Sequence, residues 1–283
     1  MQEQRGRPFI KMHGLGNDFV VVDARRVPFH PSDAVVQRIA NRHEGVGCDQ
    51  LVVLRPAGLG SGADVFMHLR NGDGGEIAAC GNATRCVAAL LMAETGRRDA
   101  TVETRAGFLH AHDAGDGRIS VDMGAPGLDW SDIPLAYEQD TLALDVARGA
   151  LHTPIGVSMG NPHAVFFVSD AEQVPLAELG PPLEHDPVFP ERANISVATR
   201  RDARHLRLRV WERGAGITRA CGTAACAATV AAARRGLGER RMTVSLDGGD
   251  LAIEWRESDG HVIMAGPVAE SFTGVMSEAL LTP

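Results

Sequence analysis

The sequence predicts an α/β (α+β) protein built of two similar lobes related by a pseudo-twofold axis, each a curved, mainly antiparallel sheet around a central helix. Three observations carry that expectation. Short apolar runs of strand length alternate with a few helix-length patterns. The arrangement recurs once along the chain. Each copy contains an Ala-Cys-Gly segment, Ala79-Cys80-Gly81 and Ala220-Cys221-Gly222, leading into an alanine-rich apolar stretch.

The chain opens as strand, glycine-rich turn, strand: Pro8 to Met12, then HGLGND, then Phe19 to Val22. Gly14 and Gly16 lack the third glycine of a dinucleotide fingerprint, and a strand follows them, so no nucleotide site is expected. Ser32 is placed to cap a helix over Asp33 to Asn41, with Val35, Val36, Ile39 and Ala40 on one face. Strands are expected over Gln50 to Leu54 and Val65 to Leu69. The polar loop NGDGG then runs into a helix that starts at Cys80 and stops at Gly96. Short strands follow near Thr101 to Thr104, Phe108 to His112 and Ile119 to Asp122. The Pro-, Gly- and Asp-rich region from Gly124 to Asp140 reads as a linker or long connection.

Beyond it the first half returns. Gly16-Asn17 before Phe19 to Val22 is echoed by Gly160-Asn161 before Ala164 to Val168, and both Cys-Gly helices close at a glycine, Gly96 and Gly236. Asn17 precedes Cys80 by 63 residues, and Asn161 precedes Cys221 by 60. Duplication of a half-chain explains these spacings. The expected lobes are 1–123, completed by the C-terminal segment 270–283, and 124–269. Equivalent positions of such lobes face each other across a cleft, so Cys80 and Cys221 are expected as a facing pair in an active site between them.

With 283 residues, 44% apolar and 23% charged, the composition is that of a soluble globular protein. A formal charge of −8 and the lack of basic runs longer than pairs argue against nucleic acid. No stretch has the length of a signal peptide or membrane span, so a cytoplasmic protein without a membrane partner is expected. Five cysteines, at 48, 80, 86, 221 and 226, form no C-x-x-C pair and no disulfide framework, and no metal site is expected.

A thiol where a loop becomes a helix is either small core filling or a reactive group favoured by the helix's positive end. The repeat favours the second reading. Two thiols and no cofactor motif suit removal of a proton from one face of a carbon and delivery to the other, because thiols titrate near enough to neutrality for one to act as base and one as acid. The backbone N–H groups of Gly81, Asn82, Gly222 and Thr223 would hold a carboxylate and the charge developing at its α-carbon. In HLRLRVWERG, Glu212 is in phase with the apolar residues Leu206, Leu208 and Val210, and a carboxylate on that face calls for a reason. Arg213 could give a forked donor to a second carboxylate. Asn17, Asn71, Asn161 and Asn194 sit in turns beside strands, where asparagine also occurs for backbone reasons. His163 either orients a thiol or is a satisfied structural histidine. Cys48, Cys86 and Cys226 read as packing.

KMHGLGNDFVVVD, the NGDG loop with ACGNATRC, SMGNPH, FPERANI and RVWERGAGITRACGTAAC, in that order, resemble the diaminopimelate epimerase family from end to end. That resemblance implies a cofactor-independent two-base epimerase interconverting LL- and meso-diaminopimelate, on the way to lysine and peptidoglycan precursors. By it Cys80 and Cys221 are the acid-base pair and His163 and Glu212 assist. It also places substrate contacts on Asn17, Gln50, Asn71, Asn161, Asn194 and Arg213, with Gly81-Asn82 and Gly222-Thr223 at the reacting carboxylate. It further implies a homodimer. The chain departs from the family's CGNG and CGTG turns at Ala83 and Ala224, each adding one methyl at a helix start. Competing readings are a proline or hydroxyproline racemase-like enzyme, a thiol hydrolase with Cys80 as nucleophile, and a non-catalytic amino-acid-binding module. The hydrolase leaves the second Cys-Gly loop unexplained.

Overall fold

A computed structural model describes residues 6–282. The chain forms two compact units: one runs to Val121 and resumes at Pro267, and the other is Asp122–Gly266.

In the first unit, strand Gly6–Gly14 pairs antiparallel with Ala269–Ser277 on one side and with Asn17–Asp23 on the other. Asn17–Asp23 then runs parallel to Gln50–Arg55, because helix α1 (Asp33–Ala40) crosses over between them. Gln50–Arg55 pairs antiparallel with Val65–Asn71, and a second crossover carries helix α2 (Gly81–Thr95) before Asp99–Thr104 returns parallel to Val65–Asn71. Gly107–Gly115 and Arg118–Asp122 finish the sheet as antiparallel hairpins. Helices on both sides explain why Val20, Val21, Val22 and Leu51 to Val53 form unbroken apolar runs: each is at most 2% exposed. The α1 face of Val35, Val36 and Ile39 packs with Val20, Val22, Leu51 and Val53. Ser32 caps α1, its Oγ accepting from the Val35 N–H, and Asn41 lies just beyond the helix as its C-cap. The α2 helix ends at Gly96 in the left-handed conformation, φ 71°.

The second unit repeats this order. Ile155–Ser158 pairs antiparallel with Pro162–Phe167, which runs parallel to Asn194–Asp202 after helix α3 (Leu176–Glu184). Asn194–Asp202 is antiparallel to His205–Glu212, and helix α4 (Gly222–Arg234) crosses over to the parallel strand Arg241–Leu246. Gly249–Trp255 and Val262–Pro267 follow antiparallel. Thus the fold is mixed α/β, and the repeat read from the spacing is a repeat of topology. Both α2 and α4 are apolar nearly all round and buried along most of their length, as central helices must be.

Two features add to or differ from the sequence reading. Residues 124–140 hold no helix or strand beyond one isolated bridge at Gly127, in keeping with the long connection, and the added finding is that this connection is packed: Trp130, Ile133 and Leu135 join the core with Leu144, Phe166 and Ile195. Helix α3 escapes prediction because Gly180, Pro181 and Pro182 break its pattern. Gly180 is there for space, since a Cβ on it would lie 2.5 Å from the Trp211 indole.

Candidate functional site

Sheet register gathers most of the predicted residues of the first unit at one sheet end. Phe19 pairs with Gln50, and Gln50 with Asn71, so Asn17, Gln50 and Asn71 lie at adjacent strand ends. Gln50 Nε2 donates to Asn71 Oδ1 at 3.4 Å. Cys80 is the N-cap of α2, and its thiol makes no capping bond to the helix. Asn17 Oδ1 lies 3.9 Å from Cys80 Sγ and accepts from Asn82 Nδ2 at 3.1 Å. The Thr84 N–H bonds the Cys80 carbonyl, so the N-terminal turn of the helix begins at Gly81, directly after the Cys80 thiol. Buried Cys48 and Cys86 have thiols pushed up by desolvation to about 11 and about 12, which leaves them inert as packing thiols.

The second unit builds the counterpart with different groups. His163 pairs with Asn194, and the register of Ile195 with Trp211 continues to place Asn194 opposite Glu212. Position for position, Asn161 therefore stands where Asn17 does, His163 where Phe19 does, Asn194 where Gln50 does and Glu212 where Asn71 does. Cys221 caps α4 as Cys80 caps α2. A two-residue strand, Gly216–Ile217, folds back on Trp211 and Glu212 and brings the Thr218 hydroxyl to donate to Glu212 Oε1. Burial pushes the Cys221 thiol well up, and the neighbouring Glu212 carboxylate pushes it further; hydrogen bonds from the Thr223 hydroxyl and the Ala224 N–H oppose them. Cys221 Sγ is 3.5 Å from Thr223 Oγ1, which in turn accepts from Asn161 Nδ2 at 3.4 Å.

His163 is fully buried, with Nε2 3.0 Å from Asn161 Oδ1, and burial with the nearby Arg213 lowers it to about 3. It is neutral at neutral pH, so with Nε2 as the donor to Asn161 the lone pair sits on Nδ1. Asn194 is buried, its amide bridging the Pro162 carbonyl and the Arg213 N–H at 3.0 and 2.9 Å. The Arg213 guanidinium is exposed and donates to the Glu191 carbonyl.

Two carboxylates here went unread in the sequence. Glu184, 3% exposed, accepts from Trp211 Nε1 at 2.7 Å and from the Gly214 N–H at 3.0 Å, and so holds the turn after Glu212. It carried no sequence signal, because α3, which it ends, is itself hidden by Gly180, Pro181 and Pro182. Asp49 accepts from Asn17 Nδ2 at 3.0 Å. Its signal was adjacency to Gln50.

The chain thus carries a cysteine at the start of the central helix in each copy of a duplicated α/β frame. Among solved structures the chain is similar to a hydroxyproline epimerase from Agrobacterium vitis, with TM-score 0.69 and 15% identity over 100% of this chain and 95% of that one. It is also similar to a phenazine biosynthesis protein of the PhzF family from Bacillus anthracis, with TM-score 0.68 and 19% identity over 96% and 99%. At these identities the likeness shows the fold alone. Sequence settles the family. The diaminopimelate epimerase profile matches residues 9–128 and 155–270. Diaminopimelate epimerases from Rhodospirillum centenum and Acidiphilium cryptum are 58% and 54% identical, over 97% and 98% of this chain and 94% and 99% of theirs. The chain belongs to the diaminopimelate epimerase family.

Proposed function

We propose that the chain interconverts LL- and meso-diaminopimelate without a cofactor. One thiol, as thiolate, removes the α-proton; the other delivers a proton to the opposite face, and Cys80 and Cys221 exchange these roles for the reverse direction. The N–H groups of Gly81, Asn82, Gly222 and Thr223 take the carboxylate on the reacting carbon and stabilise its developing charge. The Glu212 charge helps hold the proton on Cys221, and His163 keeps the Asn161 amide in place. Asn17, Gln50, Asn71, Asn161, Asn194 and Arg213 recognise the rest of the substrate. The lobes of this reading are 1–123 with 270–283, and 124–269. We further infer a homodimer working in the cytoplasm, in lysine and peptidoglycan precursor biosynthesis.

The observation that carries the reading is the repeated cysteine: two thiols at equivalent helix starts, in a chain 58% identical to a diaminopimelate epimerase. The test is incubation with LL-diaminopimelate in heavy water. Meso product with one α-deuterium is expected. Product that retains the substrate α-hydrogen throughout would exclude exchange through thiols. Binding without turnover would instead favour an amino-acid-binding module, and turnover of hydroxyproline in preference would favour the racemase-like alternative.

A further inference from the structure

We propose that Asp49 is a positioning residue that fixes which end of the Asn17 amide faces Cys80. An amide has a donor end and an acceptor end of nearly equal size, and an asparagine beside a thiol can present either. The neighbours of Asn17 remove that freedom. Asp49 Oδ2 receives Asn17 Nδ2 at 3.0 Å. An ionised carboxylate only accepts, so the amide must turn its NH2 to Asp49 and its oxygen to Asn82 Nδ2 and Cys80 Sγ.

Asp49 is itself held on several sides. Its Oδ1 accepts from the Arg42 guanidinium at 2.7 Å, its Oδ2 also takes the Asp18 N–H at 3.1 Å, and its own N–H donates to Asp18 Oδ1 at 3.0 Å. Asp18 in turn is bound by Arg42 and Lys11, whose hydrogen bonds outweigh burial and hold its carboxyl well below the usual range. The charged groups around this corner are thus Lys11, Asp18, Arg42 and Asp49, with Arg85 of α2 lying against Gly14, the strand partner of Asn17. The Asp49 side chain is 41% exposed, so water screens its charge, and its main effect on the thiol is directional, exerted through the amide.

An acceptor oxygen toward Cys80 favours its S–H form; an amide turned the other way would donate to the thiolate. The orientation follows from the geometry alone, whereas its consequence for turnover rests on the proposed function. The second unit has no such carboxylate: register places Ala193 where Asp49 stands, and His163 holds the asparagine from another side.

Cys80 alkylation by iodoacetamide, followed across pH by peptide mass spectrometry, tests this without requiring turnover. Asp49→Asn, which accepts and donates, should raise the rate near neutral pH roughly three- to tenfold, the worth of one hydrogen bond. Asn17→Ala should give a similar rise, and the double variant no more than either single one. An unchanged profile in Asp49→Asn overturns the proposal. So does a full additional rise on adding Asp49→Asn to Asn17→Ala, which would be the plain effect of a lost charge. Should Asp49→Asn fail to fold, Asp49→Ser carries the same comparison. Cys80→Ala, assayed for solvent exchange, tests the function reading separately.

Discussion

The two cysteines occupy equivalent places on equivalent helices, yet the groups around them are of different kinds. At the sheet end of the first unit stand a neutral amide, Asn71, and a phenyl ring, Phe19; at the same register in the second unit stand a carboxylate, Glu212, which neighbours Cys221, and an imidazole, His163. Duplication supplied one frame for two thiols. Divergence then gave the two units different polar groups at equivalent positions, so the thiols differ in what lies near them. Even the shared asparagines are anchored differently, Asn17 by a carboxylate and Asn161 by a histidine.

Removing either thiol is the harshest way to break the comparison. Cys80→Ala and Cys221→Ala should each lower the epimerisation rate at least about a thousandfold, within the range of lost acid-base catalysis. A single variant near wild-type rate would mean the pair is misassigned. Next comes Glu212→Gln, which gives that position an amide like its counterpart Asn71. Turnover should fall roughly a hundredfold. Cys221 alkylation should at the same time become faster near neutral pH, because the carboxylate helps hold that thiol up. Slower alkylation would show that Glu212 acts as the proton acceptor for the thiol rather than as a repelling charge.

His163→Phe installs the residue found at the equivalent place in the first unit and separates pH effects. In the folded chain His163 stays neutral down to about 3, whereas the unfolded chain takes up its proton near the usual value of 6.5. The unfolded state therefore binds the extra proton as pH drops through that window. Stability should fall below about pH 6.5, with a slope of up to about 1.4 kcal/mol per pH unit from this group. Denaturant titrations at several pH values should show His163→Phe losing that slope below about pH 6.5, with the pH dependence above pH 7 unchanged; an unchanged slope below pH 6.5 would mean other groups dominate. The smallest effect is expected from restoring the family's glycines. Ala83→Gly and Ala224→Gly, both at fully buried helix positions, should cost about 0.5–1 kcal/mol of stability and alter turnover less than about threefold. A larger gain in turnover would show that the added methyls distort the carboxylate site.

Much of this was legible in the chain. The doubled spacing of Asn17 with Cys80 and Asn161 with Cys221 gave the two-lobed plan because a duplicated fold keeps the order and length of its elements. Both cysteines were placed at helix starts by glycine and alanine patterns that are local in origin. Period-2 alternation put Glu212 in phase with Leu206, Leu208 and Val210, and the strand runs through it. The stretch 124–140 was legible as an irregular connection but not as a packed one, because turn-rich composition reports backbone irregularity and carries no information on what Ile133 and Leu135 pack against.

Sequence by itself determined the period, the repeat, the family and the identity of the two thiols, all of which depend on neighbours along the chain. Tertiary structure alone decided that Asn71 corresponds to Glu212 and Phe19 to His163, that Glu184 clamps the turn at Gly214, and that Asp49 reaches Asn17 from 32 residues away. Those relations are matters of strand register and of hydrogen bonds a few ångströms long. Residues distant in sequence meet only once the sheets have formed, and composition or spacing holds no record of which donor will face which acceptor.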